Sequence, residues 1–228
     1  MYDSVLIPTD GSEQAVRAAK HGVSLAERFD ATVHVISVVD VQAAAGPFSA
    51  GGVDDGFVER LESRGRDAID AVAALTNGTE SIETAVVKGT PGKTIRTYAE
   101  DEGIDLITMG THGRSGVRRA VTGSVCEHVV RHAAVPVVTV RGDESSSTPG
   151  DYDDVLVPTD GSEQATAAID HGIAVAAATD ATVHAVNVLD VRALGASTGA
   201  GFDDVLARQK ARGQDATETI AEQARESG

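Results

Sequence analysis

The chain has one cysteine, Cys126, and only four lysines among its 228 residues. A single thiol excludes an intramolecular disulfide, in agreement with a reducing compartment. No apolar run approaches the roughly 20 residues of a membrane-spanning helix. The opening MYDSVLIPTDG has neither the basic start nor the long apolar stretch of a secretory leader. A cytoplasmic protein without a membrane anchor is therefore expected. The shortage of lysine leaves 19 basic residues against 35 acidic ones, a formal net charge of −16. Nucleic-acid binding needs a basic surface, so that class of partner is disfavoured. The acidity runs through both halves of the chain. With many Ala, Gly and Thr, it has the pattern of a protein from a salt-loving microbe, where ionic strength screens self-repulsion. Two phosphate-binding patterns are also missing. Gly92-Lys93-Thr94 ends like a P-loop, but Val87 stands where its first glycine belongs, and no G-x-G-x-x-G follows a strand.

What is present first is a repeat. Residues 2 to 41 return at 152 to 191: YDSVLIPTDGSEQA becomes YDDVLVPTDGSEQA, and DATVHVISVVDV becomes DATVHAVNVLDV. Of the 41 positions counted from residue 1, 24 are identical. A period of about 150 residues is the length of a domain, so this is a duplicated domain and not a solenoid. The segment Arg141 to Asp151 (RGDESSSTPGD) is polar, with Ser, Gly and Pro, and reads as a linker. The expected organisation is a complete domain over 1–141, a linker over 142–151 and the first half of a second copy over 152–228.

Within the first copy, strands are predicted over Ser4 to Thr9, Thr32 to Val39, Ile82 to Val87, Ile104 to Met109 and Val135 to Val140. Helices are predicted from a Ser12 cap to about Phe29, near Val58 to Leu75, over Pro91 to Glu102 and over Val125 to His132. A Gly- and Ala-rich loop is expected after the second strand. Nearly all-apolar strands separated by helices imply an α/β fold, a parallel sheet covered on both faces. Pro91 in a first turn and Gly11 before Ser12 punctuate helix starts. The second copy shows strand, helix, strand and a helix near Asp204 to Arg225, without counterparts of residues from about 80 onward. Half a sheet leaves an unpaired strand and a bare apolar face. Either the natural chain continues beyond Gly228 or this half borrows strands from a neighbour, and the first is preferred.

The richest signal is Gly110-Thr-His-Gly113, nine further residues, then Gly123-Ser124, between the strand at Ile104 to Met109 and the helix at Val125 to His132. Backbone N–H groups approach phosphate oxygens closely where no Cβ intervenes, and the first turn of a helix adds unpaired donors and a positive dipole end. The same residues also fit a Gly-rich turn with nothing bound. Ligands in open parallel sheets gather at the carboxyl ends of the strands, where strand order reverses. If the first and fourth strands are neighbours there, Asp10 faces the glycine loop and its carboxylate can accept ribose hydroxyls or help position a metal. Equally, Asp10 fits a helix cap or an Asx turn with Gly11.

With these residues in place, the first copy resembles the universal stress protein family, in its nucleotide-binding branch. The likeness lies in the opening strand ending PTDGS, the second strand ending VVD, Gly89-Thr90-Pro91 after the third strand, and the complete G-x2-G-x9-G-S pattern. It implies a doubly wound five-stranded sheet of order 3-2-1-4-5 and bound ATP, with ADP, AMP and magnesium as further candidates. Phosphates would lie at Gly113, Gly123, Ser124 and Val125, ribose near Asp10 and Gly110, and adenine against Pro8, Thr9, Val39 and Met109. In the second copy only Pro158, Thr159, Asp160 and Leu189 match. Together with the acidic composition, the resemblance suggests a tandem member of the family from a halophilic archaeon.

Weaker signals are read structurally. His128 and His132 lie four apart but lack an obvious third metal ligand. His34 and His184 recur inside the second strand of each copy as structural residues. Cys126 is read as a small buried hydrophobe, and Arg114, Arg118 and Arg119 are candidates to neutralise phosphate. With no activated nucleophile or positioned base in view, the expectation is an ATP-binding stress-response regulatory protein with little or no hydrolysis. The competing classes are a nucleotide-dependent transferase or hydrolase and a nucleotide-free scaffold. The apolar strand Val135 to Val140 would lie at the sheet edge and pair with a second copy of the chain, alongside an unidentified protein partner.

Overall fold

The structure is a computed structural model that describes residues 1–45, 54–76, 81–112, 123–141, 150–190 and 202–227. The chain forms two compact units, Met1–Gly150 and Asp151–Gly228.

The first unit runs β1 (Ser4–Pro8), α1 (Glu13–Phe29), β2 (Thr32–Val39), α2 (Val41–Ala45), α3 (Asp55–Ala73), β3 (Ile82–Lys88), α4 (Pro91–Asp101), β4 (Leu106–Gly110), α5 (Ser124–His132) and β5 (Val137–Val140). Its strands form one parallel sheet of order β3-β2-β1-β4-β5. This is the α/β architecture and the strand order expected. Local chemistry explains most boundaries. Ser12 Oγ accepts the Ala15 N–H at 3.2 Å and starts α1, Asp54 does the same for α3 through Phe57, and Pro91 occupies the first turn of α4. Asp30, in the left-handed region at φ 54°, ends α1 by donating its N–H to Ala26 and Glu27.

Two strands begin two residues later than their apolar runs suggest. Asp105 lies on the edge of its run because its Oδ2 accepts the N–H groups of Asp3 and Ser4 at 2.9 and 3.0 Å, tying the start of β1 to β4. Pro136 has no N–H to give, although its carbonyl accepts from Ile107 at 3.0 Å, so β5 proper begins at Val137. The short helix α2 occupies part of the stretch expected to be loop. Asp40 Oδ1 accepts the Ala43 N–H at 2.9 Å and caps it.

The register assigns the sheet residues to two faces. Leu6 stands beside His34 and Ile107, and Pro8 beside Ile36. This face is sealed by Ile95 and Ala99 of α4 and by Cys126 and Val129 of α5, with Leu6, Ile36, Ile107 and Met109 in one apolar cluster. The opposite face, with Val5, Ile7, Val33 and Val35 fully buried, lies under α1 and α3. A side chain such as Leu6, removed from water entirely, contributes about 1.5 to 3 kcal/mol relative to exposure.

The second unit comprises β6 (Asp154–Pro158), α6 (Glu163–Thr179), β7 (Thr182–Val186) and α7 (Phe202–Ser227), with β6 and β7 parallel. Val157, Ile169, Ile173 and Ile220 form its core between the sheet and the two helices. On the other face Leu156 is 64% exposed.

Candidate functional site

The crossovers place α1 and α3 on one face of the sheet and α4 and α5 on the other, so winding reverses between β1 and β4. These two strands are parallel neighbours, with Leu6 opposite Ile107. Pro8-Thr9-Asp10 and Met109-Gly110 therefore leave the sheet side by side at its carboxyl end, the position where such sheets hold ligands.

On the β1 side the turn is built from short hydrogen bonds. Thr9, buried, donates its N–H to Ile36 at 2.8 Å and accepts the Gly11 N–H on its hydroxyl at 3.1 Å. Asp10 Oδ1 accepts the Ser12 N–H at 2.9 Å, across Gly11 at φ 73°, a left-handed conformation that favours glycine. Asp10 thus forms the Asx turn while Ser12 caps the helix, and Asp10 itself is exposed at the crevice. Val39 ends β2 next door, where its carbonyl accepts the Gly89 N–H at 3.1 Å.

On the β4 side, backbone packs against backbone. A Cβ added to Gly110 would lie 3.0 Å from the Gln14 carbonyl oxygen in the first turn of α1. A Cβ on Gly123 would lie 3.0 Å from the carbonyl oxygen of Thr111. Gly123 also donates its N–H to that same oxygen, and the Thr111 N–H donates to Val140 at 3.0 Å. Residues 111 and 123 consequently form the neck of the glycine loop, and Thr111 is the residue that sequence reasoning misses. Its only sequence signal is a β-branched polar residue between two glycines. The loop within that neck, including Gly113 and Arg114, Arg118 and Arg119, lies outside the described residues.

Gly123 is the N-cap of α5 and supplies no side-chain cap bond. Among the described residues the first-turn N–H groups at Ser124 and Val125 thus have no intrahelical acceptor and no side-chain cap, and the positive end of the helix dipole stands with them. Gly123 contributes the absence of a side chain more than a donor, because its own N–H is spent on Thr111.

The remaining sequence candidates have local partners. His34 Nδ1 lies 3.2 Å from the Tyr98 hydroxyl and 3.7 Å from Glu83. His184 contacts Asp154 at 2.7 Å. His128 and His132 stack with ring centroids 4.5 Å apart, and His132 Nδ1 lies 2.9 Å from the His128 carbonyl. Cys126 is buried, and that burial pushes its thiol pKa up. Among the described residues no group of three or more His, Cys, Asp or Glu could hold a metal ion, and no helix is long and apolar enough to cross a membrane.

Comparison with known proteins agrees with this fold. The model of the universal stress protein family matches residues 1–141 and again 151–228. A universal stress protein of Methanocaldococcus jannaschii is 38% identical over 143 residues, covering 62% of this chain and 83% of that protein. The solved universal stress protein of Lactobacillus plantarum superposes with a TM-score of 0.52 at 31% identity, covering 61% of this chain and 98% of that one. A solved universal stress protein from Archaeoglobus fulgidus shares the fold across both units: it covers 94% of this chain and 75% of its own length, with a TM-score of 0.65 at 20% identity.

Proposed function

This chain belongs to the universal stress protein family, and from that premise we propose that it is an ATP-binding regulatory protein of the stress response. One nucleotide binds per chain, in the first unit, at the carboxyl end of β1 and β4. The observation that carries the reading is the uncapped α5 N-terminus, held open beside the sheet's switch point by the Gly123 to Thr111 bond. Unpaired N–H donors at a helix start are a ready seat for phosphate.

In this reading the N–H groups of Ser124 and Val125 take phosphate oxygens, with Gly113 in the intervening loop. Gly123 keeps that approach clear. Asp10, whose carboxylate already accepts from Ser12, offers its acceptor capacity to ribose hydroxyls beside Gly110, since an ionised carboxylate takes several bonds. Pro8, Thr9, Val39 and Met109 border the adenine. Whether magnesium accompanies ATP, and whether ADP or AMP competes, belongs to the same test. Hydrolysis is slow or absent in this reading, because among the described residues none is placed as base or water-positioning group. The cytoplasmic setting, the salt-loving source and self-pairing along the β5 edge complete the proposal.

Titration calorimetry of the full chain with ATP, with and without magnesium, tests it. One site per chain is expected, together with adenine nucleotide released from the purified protein on denaturation. No heat at saturating ATP would refute it. Gly123→Val should abolish the heat, because the added carbons meet the Thr111 carbonyl and force the neck apart. An unaltered affinity in that variant would remove the loop neck from the site.

A further inference from the structure

Thr111 is tied at three points. Its N–H donates to the carbonyl of Val140, the last residue of β5, at 3.0 Å. Its carbonyl accepts the N–H of Gly123, the N-cap of α5. Its hydroxyl lies 3.1 Å from His112 Nδ1, and the residue is buried. One residue, through the two peptide groups that flank it, therefore joins the helix start that would hold phosphate to the end of a strand at the sheet edge.

We propose that Thr111 couples nucleotide occupancy at the α5 N-terminus to the order of the C-terminal end of β5; the inference rests on the nucleotide-binding reading above. The physical basis is the difference in support on either side of Thr111. Among the described residues of a single chain, β5 is four residues long and pairs with β4 alone, so until a second copy pairs with it its end is drawn from the low-stability range of local opening. Phosphate bound to the N–H groups of Ser124 and Val125 restrains the first turn of α5. Gly123 and Thr111 are restrained with it, and the bond from Thr111 to Val140 opens less often. Linkage makes the effect reciprocal: whatever holds β5 in place raises nucleotide affinity by the factor that nucleotide tightens β5. Occupancy of the pocket is thereby readable at the sheet edge without movement of the core.

Amide hydrogen exchange of the full chain by NMR, across an ATP titration, tests this. At saturation the Thr111 N–H should exchange about tenfold more slowly. The Ile107 N–H, bonded to Pro136 at 3.0 Å where β5 enters the sheet, is the internal control and should change far less. The midpoint for Thr111 should coincide with that of the Ser124 and Val125 shifts. If Ser124 and Val125 shift while Thr111 exchange is unchanged, or if Thr111 and Ile107 slow equally, the coupling is overturned and the nucleotide reading stands. If neither Ser124 nor Val125 shifts at saturation, both are overturned.

Discussion

Leu6 and Leu156 hold the same place in two copies of one sequence, on strands that read VLIPTDGS and VLVPTDGS, and their surroundings are opposite. Leu6 is fully buried, whereas Leu156 is 64% exposed. On the other face of the same strands, Ile7 and Val157 are both buried, at 0% and 3%. The strand is the same in both units, and what differs is its cover. In the first unit α4 and α5 close the Leu6 face through Ile95, Ala99, Cys126 and Val129, while α6 and α7 of the second unit pack on the Val157 side. Whether a residue is core is thus decided by distant parts of the chain.

The sharpest way to break this comparison is to truncate both leucines. Leu6→Ala should destabilise the first unit by about 2 to 5 kcal/mol, the range for cavities in a packed core. Leu156→Ala should stay within about 0.5 kcal/mol, as exposed substitutions do. Urea unfolding of the full chain, followed by resolved NMR signals of each unit, measures both. Equal costs would mean that the Leu156 face is covered in solution.

A smaller effect sharpens the comparison at the ligand. Asp10 and Asp160 make the same Asx turn, each accepting a serine N–H at 2.9 Å, and the two Ser162 bonds hold the Asp160 carboxyl below its ordinary pKa. Among the described residues only Asp10 follows a strand paired with a neighbour that ends at a glycine, β4 at Gly110. Asp10→Ala should weaken ATP binding by about 1 to 3 kcal/mol, and Asp160→Ala should leave affinity and stoichiometry unchanged in calorimetry. A loss of comparable size on changing Asp160 would place nucleotide in the second unit as well.

These pairs also show how far the amino-acid sequence alone can be read. Strand β2 is legible to its ends, Thr32 to Val39, because a β-branched run broken only by His34 and Ser37 and flanked by Asp30 and Asp40 has one reading. The sheet order comes through the family resemblance, since apolar strands of similar composition do not identify their own neighbours. Apolar runs place the starts of β4 and β5 too early, because Asp105 and Pro136 act through bonds to remote residues. The helix α2 escapes prediction although Asp40 before Val-Gln-Ala-Ala-Ala is a serviceable cap. At the site, the spacing of Gly110 and Gly123 points to a phosphate role. The fold adds a second reason for each glycine, the close approach of the Gln14 and Thr111 carbonyls. Thr111 is hidden in the sequence because its importance lies in its backbone, whose partners at 123 and 140 are set by the fold.

The smallest effect concerns what the two copies share. Ser12 and Ser162 cap their helices with bonds of 3.2 and 3.1 Å. Gly11 and Gly161 take φ of 73° and 76°, and Asp30 and Asp180 end the helices at φ 54° and 57°. This agreement holds although, among the described residues, Leu156 is exposed where Leu6 is buried, so the turn and caps are set by the local sequence. Ser12→Ala and Ser162→Ala should therefore each cost about 1 kcal/mol in their own unit, with nearly equal values in the same urea experiment. If the second cap proved far weaker than the first, the helix start would owe its geometry to the packed sheet beneath it, and local sequence would no longer explain why the two turns match.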